Sequence, residues 1–195
     1  MSFAAAKAAW LMRLIVFGRG IGFAIRFLGR PIRVHPSSSV SMRSVMRVCG
    51  GGTITIGRHC QIHPLSMFLT YGGDIRIGDN CSVNPFTIIY GMGGTVIGDG
   101  VRIAAHTVIV PENHNAGTDE LPLRNAGTTK RGIRIDDNVW IGAGVRILDG
   151  VRIGRNTIVG AGSVVNTSLP ANATAVGVPA KAIKLRESAG THDVP

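Results

Sequence analysis

Residues 135–165 read IDDNVWIGAGVRILDGVRIGRNTIVGAGSVV, and one spacing runs through all of them. Ile135, Ile141, Ile147, Ile153, Val159 and Val165 recur at every sixth position. Each is followed by a small or turn-forming residue (Asp136, Gly142, Gly154, Gly160, Asn166), Leu148 excepted. A second apolar or small residue stands four on: Val139, Val145, Val151, Thr157, Ser163. Six is neither the ~3.6-residue period of an amphipathic helix nor the simple alternation of a strand. It fits short strand, turn, short strand, turn, the hexapeptide pattern of a parallel β-helix in which each coil lays its apolar residue on the coil below. No single hexad makes a core; the stack does.

Upstream the same step comes in threes: Ile56, Ile62, Phe68; Ile77, Val83, Ile89; Ile97, Ile103, Ile109. Three extra residues separate Phe68 from Ile77, and two separate Ile89 from Ile97. Triplets with small insertions predict triangular coils of about eighteen residues with adjustable corners. The segment 34–55, with Ser37–Ser39 and Gly50–Gly52, reads as an irregular first coil, so the solenoid domain is expected over residues 34–179. Between Ile109 and Ile135 the register jumps by 26, six plus a twenty-residue excursion. That polar loop, residues 111–132, carries Glu112, Asn113, His114, Asn115, Asp119, Glu120, Arg124, Lys130 and Arg131. A long loop thrown from a regular scaffold is where function concentrates. Residues 180–195 predict a short basic helix from Ala180 to Glu187 and a polar tail.

The 195 residues suit one domain, and 27 glycines with 5% aromatics suit a narrow interior with many tight corners. Lys+Arg number 21 against 11 Asp+Glu, a net charge of +10 that favours anionic membrane surfaces or phosphate-bearing ligands. No basic platform interleaved with aromatics appears, so nucleic acid is not an expected partner. Three cysteines, an odd number, point to a reducing compartment. Cys60 and Cys81 each follow an apolar repeat residue by four and read as core thiols on adjacent coils.

Residues 1–33 stand apart. Their apolar residues are interrupted by Lys7, Arg13, Arg19, Arg26, Arg30 and Arg33, so no uncharged run approaches the ~20 residues of a spanning helix. No cleavage site follows an unbroken apolar core, which argues against a signal peptide. Arg19, Arg26, Arg30 and Arg33 share one helical face. This segment is expected to be a helix that lies on an anionic membrane surface, or one that caps the open end of the solenoid.

The runs Asp136–Gly142, Ile153–Val165 and Val176-Gly-Val-Pro-Ala-Lys-Ala-Ile183 resemble the hexapeptide-repeat left-handed β-helix acyltransferases. The branch they are most similar to is that of the sugar O-acetyltransferases acting on galactosides, maltose, nodulation factors and polysaccharide precursors. The likeness covers residues 54–185. It implies a left-handed all-β solenoid, a homotrimer with active sites between subunits, acetyl-CoA as co-substrate without a metal, and a carbohydrate acceptor. A histidine in the excursion loop serves that family as general base, and an asparagine thirty residues earlier helps to place the acceptor. His114 and Asn84 occupy those positions. Trp140 matches the tryptophan beside the site, and the acetyl-CoA contacts fall on Ala143, Ala161, Asn166, Lys181 and Lys184. One departure matters: the galactoside and maltose enzymes carry an acidic residue in an N-terminal helical segment, whereas this segment is basic and apolar. The expected acceptor is therefore a cell-surface polysaccharide or glycolipid precursor, modified in the cytoplasm at the inner face of the membrane.

The chemistry needs these residue types. An alcohol is too weak an acid to ionise at neutral pH, and histidine is suited to take its proton during attack on a thioester. The oxyanion then needs donors, supplied by main-chain N–H groups or by Asn84. Direct transfer requires no covalent enzyme intermediate, so no cysteine is assigned a role. Plainer readings stand beside these. His114 can be a solvated loop residue, Asn84 a corner residue in a left-handed turn, Trp140 a cover for the coil edge, and Lys181 with Lys184 a solvated face. His106, three after Ile103, reads as a subunit-contact residue, and Asp119 or Glu120 as a partner for His114. The rival functions are an acetyltransferase for an antibiotic, amino sugar or serine, a trimeric zinc enzyme of the γ-carbonic-anhydrase kind, and a structural or binding β-helix. The histidine spacing speaks against the zinc enzyme, and the lack of repeated surface ladders speaks against the structural solenoid.

Overall fold

The computed structural model describes residues 31–187. Of the expected N-terminal helix, residues 1–33, all but the last three lie outside the described residues, as does the tail beyond residue 187. The described chain is a left-handed parallel β-helix of six coils, each with one strand in each of three sheets. The first coil is β1 (Ile32–Val34), β2 (Ser39–Val40) and β3 (Val45–Arg47), and the second is β4 (Ile54–Ile56), β5 (Gln61–Ile62) and β6 (Met67–Leu69). The third is β7 (Ile75–Ile77), β8 (Ser82–Val83) and β9 (Ile88–Tyr90); the fourth is β10 (Thr95–Ile97), β11 (Arg102–Ile103) and β12 (Val108–Ile109). An excursion follows, with β13 (Asn113–His114), a 3₁₀ turn over Leu123–Asn125, and β14 (Thr128–Thr129). The fifth coil is β15 (Ile133–Ile135), β16 (Trp140–Ile141) and β17 (Arg146–Ile147), and the sixth is β18 (Arg152–Ile153), β19 (Ile158–Val159) and β20 (Val164–Val165). Strands β21 (Ala173–Gly177) and β22 (Ala180–Leu185) close the top.

Every triplet of the six-residue spacing becomes one coil, because pairing is in register from coil to coil. Ile62, Val83, Ile103, Ile141 and Val159 stack in the second sheet, and Phe68, Ile89, Ile109, Ile147 and Val165 in the third. These side chains are buried throughout. Each contributes about 1.5–3 kcal/mol by leaving water, and together they hold the solenoid. Cys60 and Cys81 lie buried on adjacent coils of the second sheet, as expected, and their Sγ atoms donate to the Gly78 and Gly98 carbonyls, each at 3.1 Å. The hydrogen bond to Cys60, and then burial, push the Cys81 thiol well up, which keeps it an inert core group.

The corners are tied by carboxylates. Asp79, Asp99 and Asp137 each accept a main-chain N–H from the preceding coil, those of Arg58, Asp79 and Asp99, at 2.7, 2.7 and 2.9 Å. Asn138, Asn156 and Asn172 stack beside them, each amide donating to the next at 2.8 Å.

Two expectations need correction. The first coil is regular and starts at Ile32, so Arg33 sits on a strand of the first sheet and not on a helix. Beyond Val165, β21 extends the second sheet on β19. The expected short C-terminal helix is a strand: β22 folds back on β21 as an antiparallel hairpin. Helical propensity at Ala180–Leu185 loses to the open edge of the second sheet, whose unpaired main-chain groups β22 satisfies.

Candidate functional site

The triangular coil fixes where each candidate residue can be. Asn84 follows β8 at the corner between the second and third sheets, which we term the second edge. Ala143 and Ala161 occupy the same edge two and three coils further along, and both are exposed. The backbone of this edge is bonded from coil to coil: Gly144 N donates to Ala105 O at 2.9 Å and Gly162 N to Ala143 O at 2.8 Å. Gly142 is required here because a Cβ would stand 2.6 Å from Ala161 N and 2.8 Å from Val159 O. The Asn84 amide is pinned, its Nδ2 donating to Ile103 O at 2.8 Å. The left-handed position of that turn belongs to Phe86 and not to Asn84. Asn84 is thus held with its Oδ1 as a fixed acceptor.

His114 and Asn166 stand elsewhere, at the third edge, between the third and first sheets. The excursion is a hairpin: His114 pairs with Thr128 and Asn113 with Thr129. Its arms are joined by Asn115, whose N donates to Gly127 O at 3.0 Å and Nδ2 to Ala126 O at 2.9 Å. Lys130 Nζ lies 3.6 Å from Glu112 Oε1 at its root. The return arm is anchored by Asp149, which accepts from Arg131 N at 2.8 Å, Gly132 N at 2.9 Å and Thr129 Oγ1 at 3.2 Å. Sequence reasoning passed over Asp149. Its signal was Leu148, the one residue after a repeat position (Ile147) that is neither small nor turn-forming, at the corner where the excursion rejoins the coil.

The His114 ring is exposed and has no hydrogen-bond partner among the described residues, and neither Asp119 nor Glu120 forms a hydrogen bond or ion pair with it. The sequence left open which of them, if either, orients the ring; within one chain neither does, since both lie in the outer part of the hairpin, beyond the β13–β14 pairing. Within one chain, then, Asn84 and His114 stand on different edges of the prism.

Trp140 points outward from the second sheet and is 55% exposed, level with Arg102 and Ile158 on the neighbouring coils. A hollow of about 350 Å³ beside it is lined by Asn138, Asn156, Ile158, Asn172 and Arg186. Lys181 pairs with Val176 and Lys184 with Thr174. Residues three apart on a strand would normally face opposite ways, but the bulge between Thr174 and Ala175 brings both lysines to the outward face. The second edge and this face therefore gather Ala143, Ala161, Trp140, Lys181 and Lys184 at the upper end, and leave Asn166 on the third edge. Phe86 and His106, stacked 4.9 Å apart beside Asn84, complete the second edge below. Among the described residues no group of His, Cys, Asp or Glu side chains is placed to hold a metal ion, and no helix is long and apolar enough to cross a membrane.

Residues 132–167 match the bacterial transferase hexapeptide (six repeats) family. A galactoside O-acetyltransferase of Lactococcus lactis subsp. lactis is 41% identical over 83 residues, 43% of this chain and 39% of that protein. The chain thus spans about two fifths of that curated relative. Among solved structures, an N-acyltransferase of Bacillus cereus, AntD, in complex with dTDP-4-amino-4,6-dideoxyglucose and coenzyme A, superposes with a TM-score of 0.73 at 23% identity, over 86% of this chain and 90% of that one. A galactoside acetyltransferase in complex with coenzyme A gives a TM-score of 0.53 at 26% identity, over 79% of this chain and 64% of that one.

Proposed function

We propose, from the premise that the chain belongs to the hexapeptide-repeat transferase family, that it is an acetyl-CoA-dependent O-acetyltransferase acting on a sugar hydroxyl. The acceptor is a cell-surface polysaccharide or glycolipid precursor, and the assembly is a homotrimer. The observation that carries this reading is the excursion hairpin, which holds an exposed histidine off a rigid scaffold by a buried carboxylate anchor. Acetyl-CoA supplies the acetyl group already activated as a thioester. The bare second edge at Ala143 and Ala161, with Lys181 and Lys184 facing outward above it, fits an elongated donor that ends in phosphates. His114 takes the proton of the acceptor hydroxyl as that oxygen attacks. Asn84, pinned by Ile103, holds the acceptor by its free Oδ1 or donates its second Nδ2 hydrogen to the developing oxyanion. Because Asn84 and His114 lie on different edges, a neighbouring copy must bring the second edge of one chain to the third edge of the next. That copy is also the source of a partner for the His114 ring.

The test is release of free CoA from acetyl-CoA by the purified protein against a panel of mono- and oligosaccharides, with serine and an amino sugar included. His114→Ala is run beside it. Turnover on a glycan that drops about 10²-fold or more in the variant supports the reading. Equal turnover in the variant removes the histidine from the mechanism, and turnover confined to serine or to the amino group overturns the sugar hydroxyl as acceptor.

A further inference from the structure

We infer that the stacked Phe86–His106 pair is the platform on which the acceptor's pyranose ring rests, a specificity-determining element of the site. This deepens the acyl-transfer reading and depends on it.

The argument starts from backbone conformation. At the second-edge corners of the second to sixth coils one residue adopts positive φ: Leu65 at 63°, Phe86 at 61°, His106 at 62°, Gly144 at 68° and Gly162 at 71°. The left-handed region is costly for bulky side chains and easy for glycine or asparagine. The first edge, between the first and second sheets, mostly takes the easy route, with Asn80, Gly100, Asn138, Asn156 and Asn172. The upper second edge does the same with Gly144 and Gly162. Among the described residues only the lower second edge carries large side chains in that conformation on three successive coils, and such strain is characteristic of sites where a side chain has to be presented.

Core packing does not account for them. Phe86 is 49% exposed, His106 is exposed, and both rings lie outside the solenoid. They stack on each other with centroids 4.9 Å apart and planes 8° from parallel. The backbone beneath is held firmly: His106 N donates to Pro85 O at 3.2 Å, and Arg146 Nη1 donates to His106 O at 3.0 Å and to Gly144 O at 2.6 Å. Asn84, two residues before Phe86, adds its pinned amide to the same turn.

An exposed aromatic face beside a fixed amide suits a ligand with one apolar C–H face and a rim of hydroxyls. A pyranose ring has that form: its axial C–H bonds meet the electron-rich ring face and its hydroxyls reach the amide. Directly above, Gly144 and Gly162 leave the edge bare beside Ala143 and Ala161. The edge is thereby divided into an aromatic half for the acceptor and a flat half for the donor.

The test uses Phe86→Asn and Phe86→Gly in the 195-residue chain. Both residues accept positive φ, so the melting temperature stays equal or rises, which separates binding from folding. With the acceptor found by CoA release, the expected result is a roughly tenfold rise in acceptor KM with the acetyl-CoA KM changed by less than about twofold. Saturation transfer from the CoA-bound protein to the ring C–H protons of methyl β-D-galactopyranoside and methyl β-D-glucopyranoside is expected in the parent and lost in Phe86→Asn. An unchanged acceptor KM with unchanged saturation transfer overturns the platform, as does CoA release on non-sugar acceptors alone. A variant that lowers the sedimentation mass while leaving acceptor KM intact also overturns it, and makes the pair a subunit contact. A parent protein that neither binds acetyl-CoA nor releases CoA instead sinks the acyl-transfer reading itself.

Discussion

Replacing Asp149 by alanine tests whether the excursion hairpin is held by its anchor or by the coil alone. The carboxylate is 9% exposed and takes the Arg131 and Gly132 N–H groups on Oδ1 at 2.8 and 2.9 Å, with Thr129 Oγ1 3.2 Å from Oδ2. Hydrogen bonds to a charged group contribute about 1.5–3 kcal/mol each, and an orphaned buried N–H costs about 1–3 kcal/mol. Arg131 is exposed, so water reaches the vacated corner and the lower figures apply, giving a loss of about 3 kcal/mol for the two amides together. That corresponds to a local opening equilibrium raised somewhat more than a hundredfold. The hairpin can open without the solenoid, so the loss appears chiefly as faster amide hydrogen exchange at residues 128–132, and the melting temperature falls by less than about 10 °C. Under the proposed mechanism, acetyl transfer falls by about 10–10² as His114 loses its placement. Asp149→Asn, which keeps one acceptor oxygen, is intermediate. Exchange at Arg131 and Gly132 within about threefold of the parent would refute the anchoring argument.

Ile141→Ala, at a fully buried position in the middle of the second-sheet ladder, is expected to cost about 2–5 kcal/mol in denaturant unfolding, whereas Ile158→Ala on the outward face of the next coil costs under about 1 kcal/mol. Gly142→Ala forces a Cβ against Ala161 N and Val159 O, both rigid backbone atoms, so coils five and six must separate; a melting temperature equal to the parent's would contradict the close approach. Burial works to raise the Asp136 carboxyl, but hydrogen bonds from Arg152 and Arg134 outweigh it and hold it below the ordinary 3.8. Asp79, through the Arg58 main-chain N–H, and Asp74, through the Thr53 hydroxyl, are lowered too. A lowered carboxylate contributes stability that is whole above its unfolded value and lost as pH falls through the folded one. Acid unfolding should therefore set in below about pH 4 and be shallower in Asp136→Asn, as followed by circular dichroism.

The solenoid was legible because its information is periodic: Ile141 and its five partners repeat one environment, and a register error would turn every side chain to the wrong face. What was not legible depends on where a segment meets the end or corner of that repeat. Ala180–Leu185 looked helical because local propensity ignores the open sheet edge that β22 fills. Lys181 and Lys184 were placed on one face for a helical reason, and share a face for a different one, the bulge opposite. The site divides in the same way. Spacing alone pointed to a loop, since a twenty-residue excursion breaks the period openly, and the family resemblance rather than the spacing singled out His114 within it. It could not show that Asn84 and His114 sit on different edges, because the corner a residue occupies depends on its position within the coil and not on its distance along the chain. Nor could it mark Phe86, whose significance lies in a positive φ on a coil where glycine would have been easier. In a repeat protein the residues that keep the period build the scaffold, and those that break it at conformational cost are the ones to test for function.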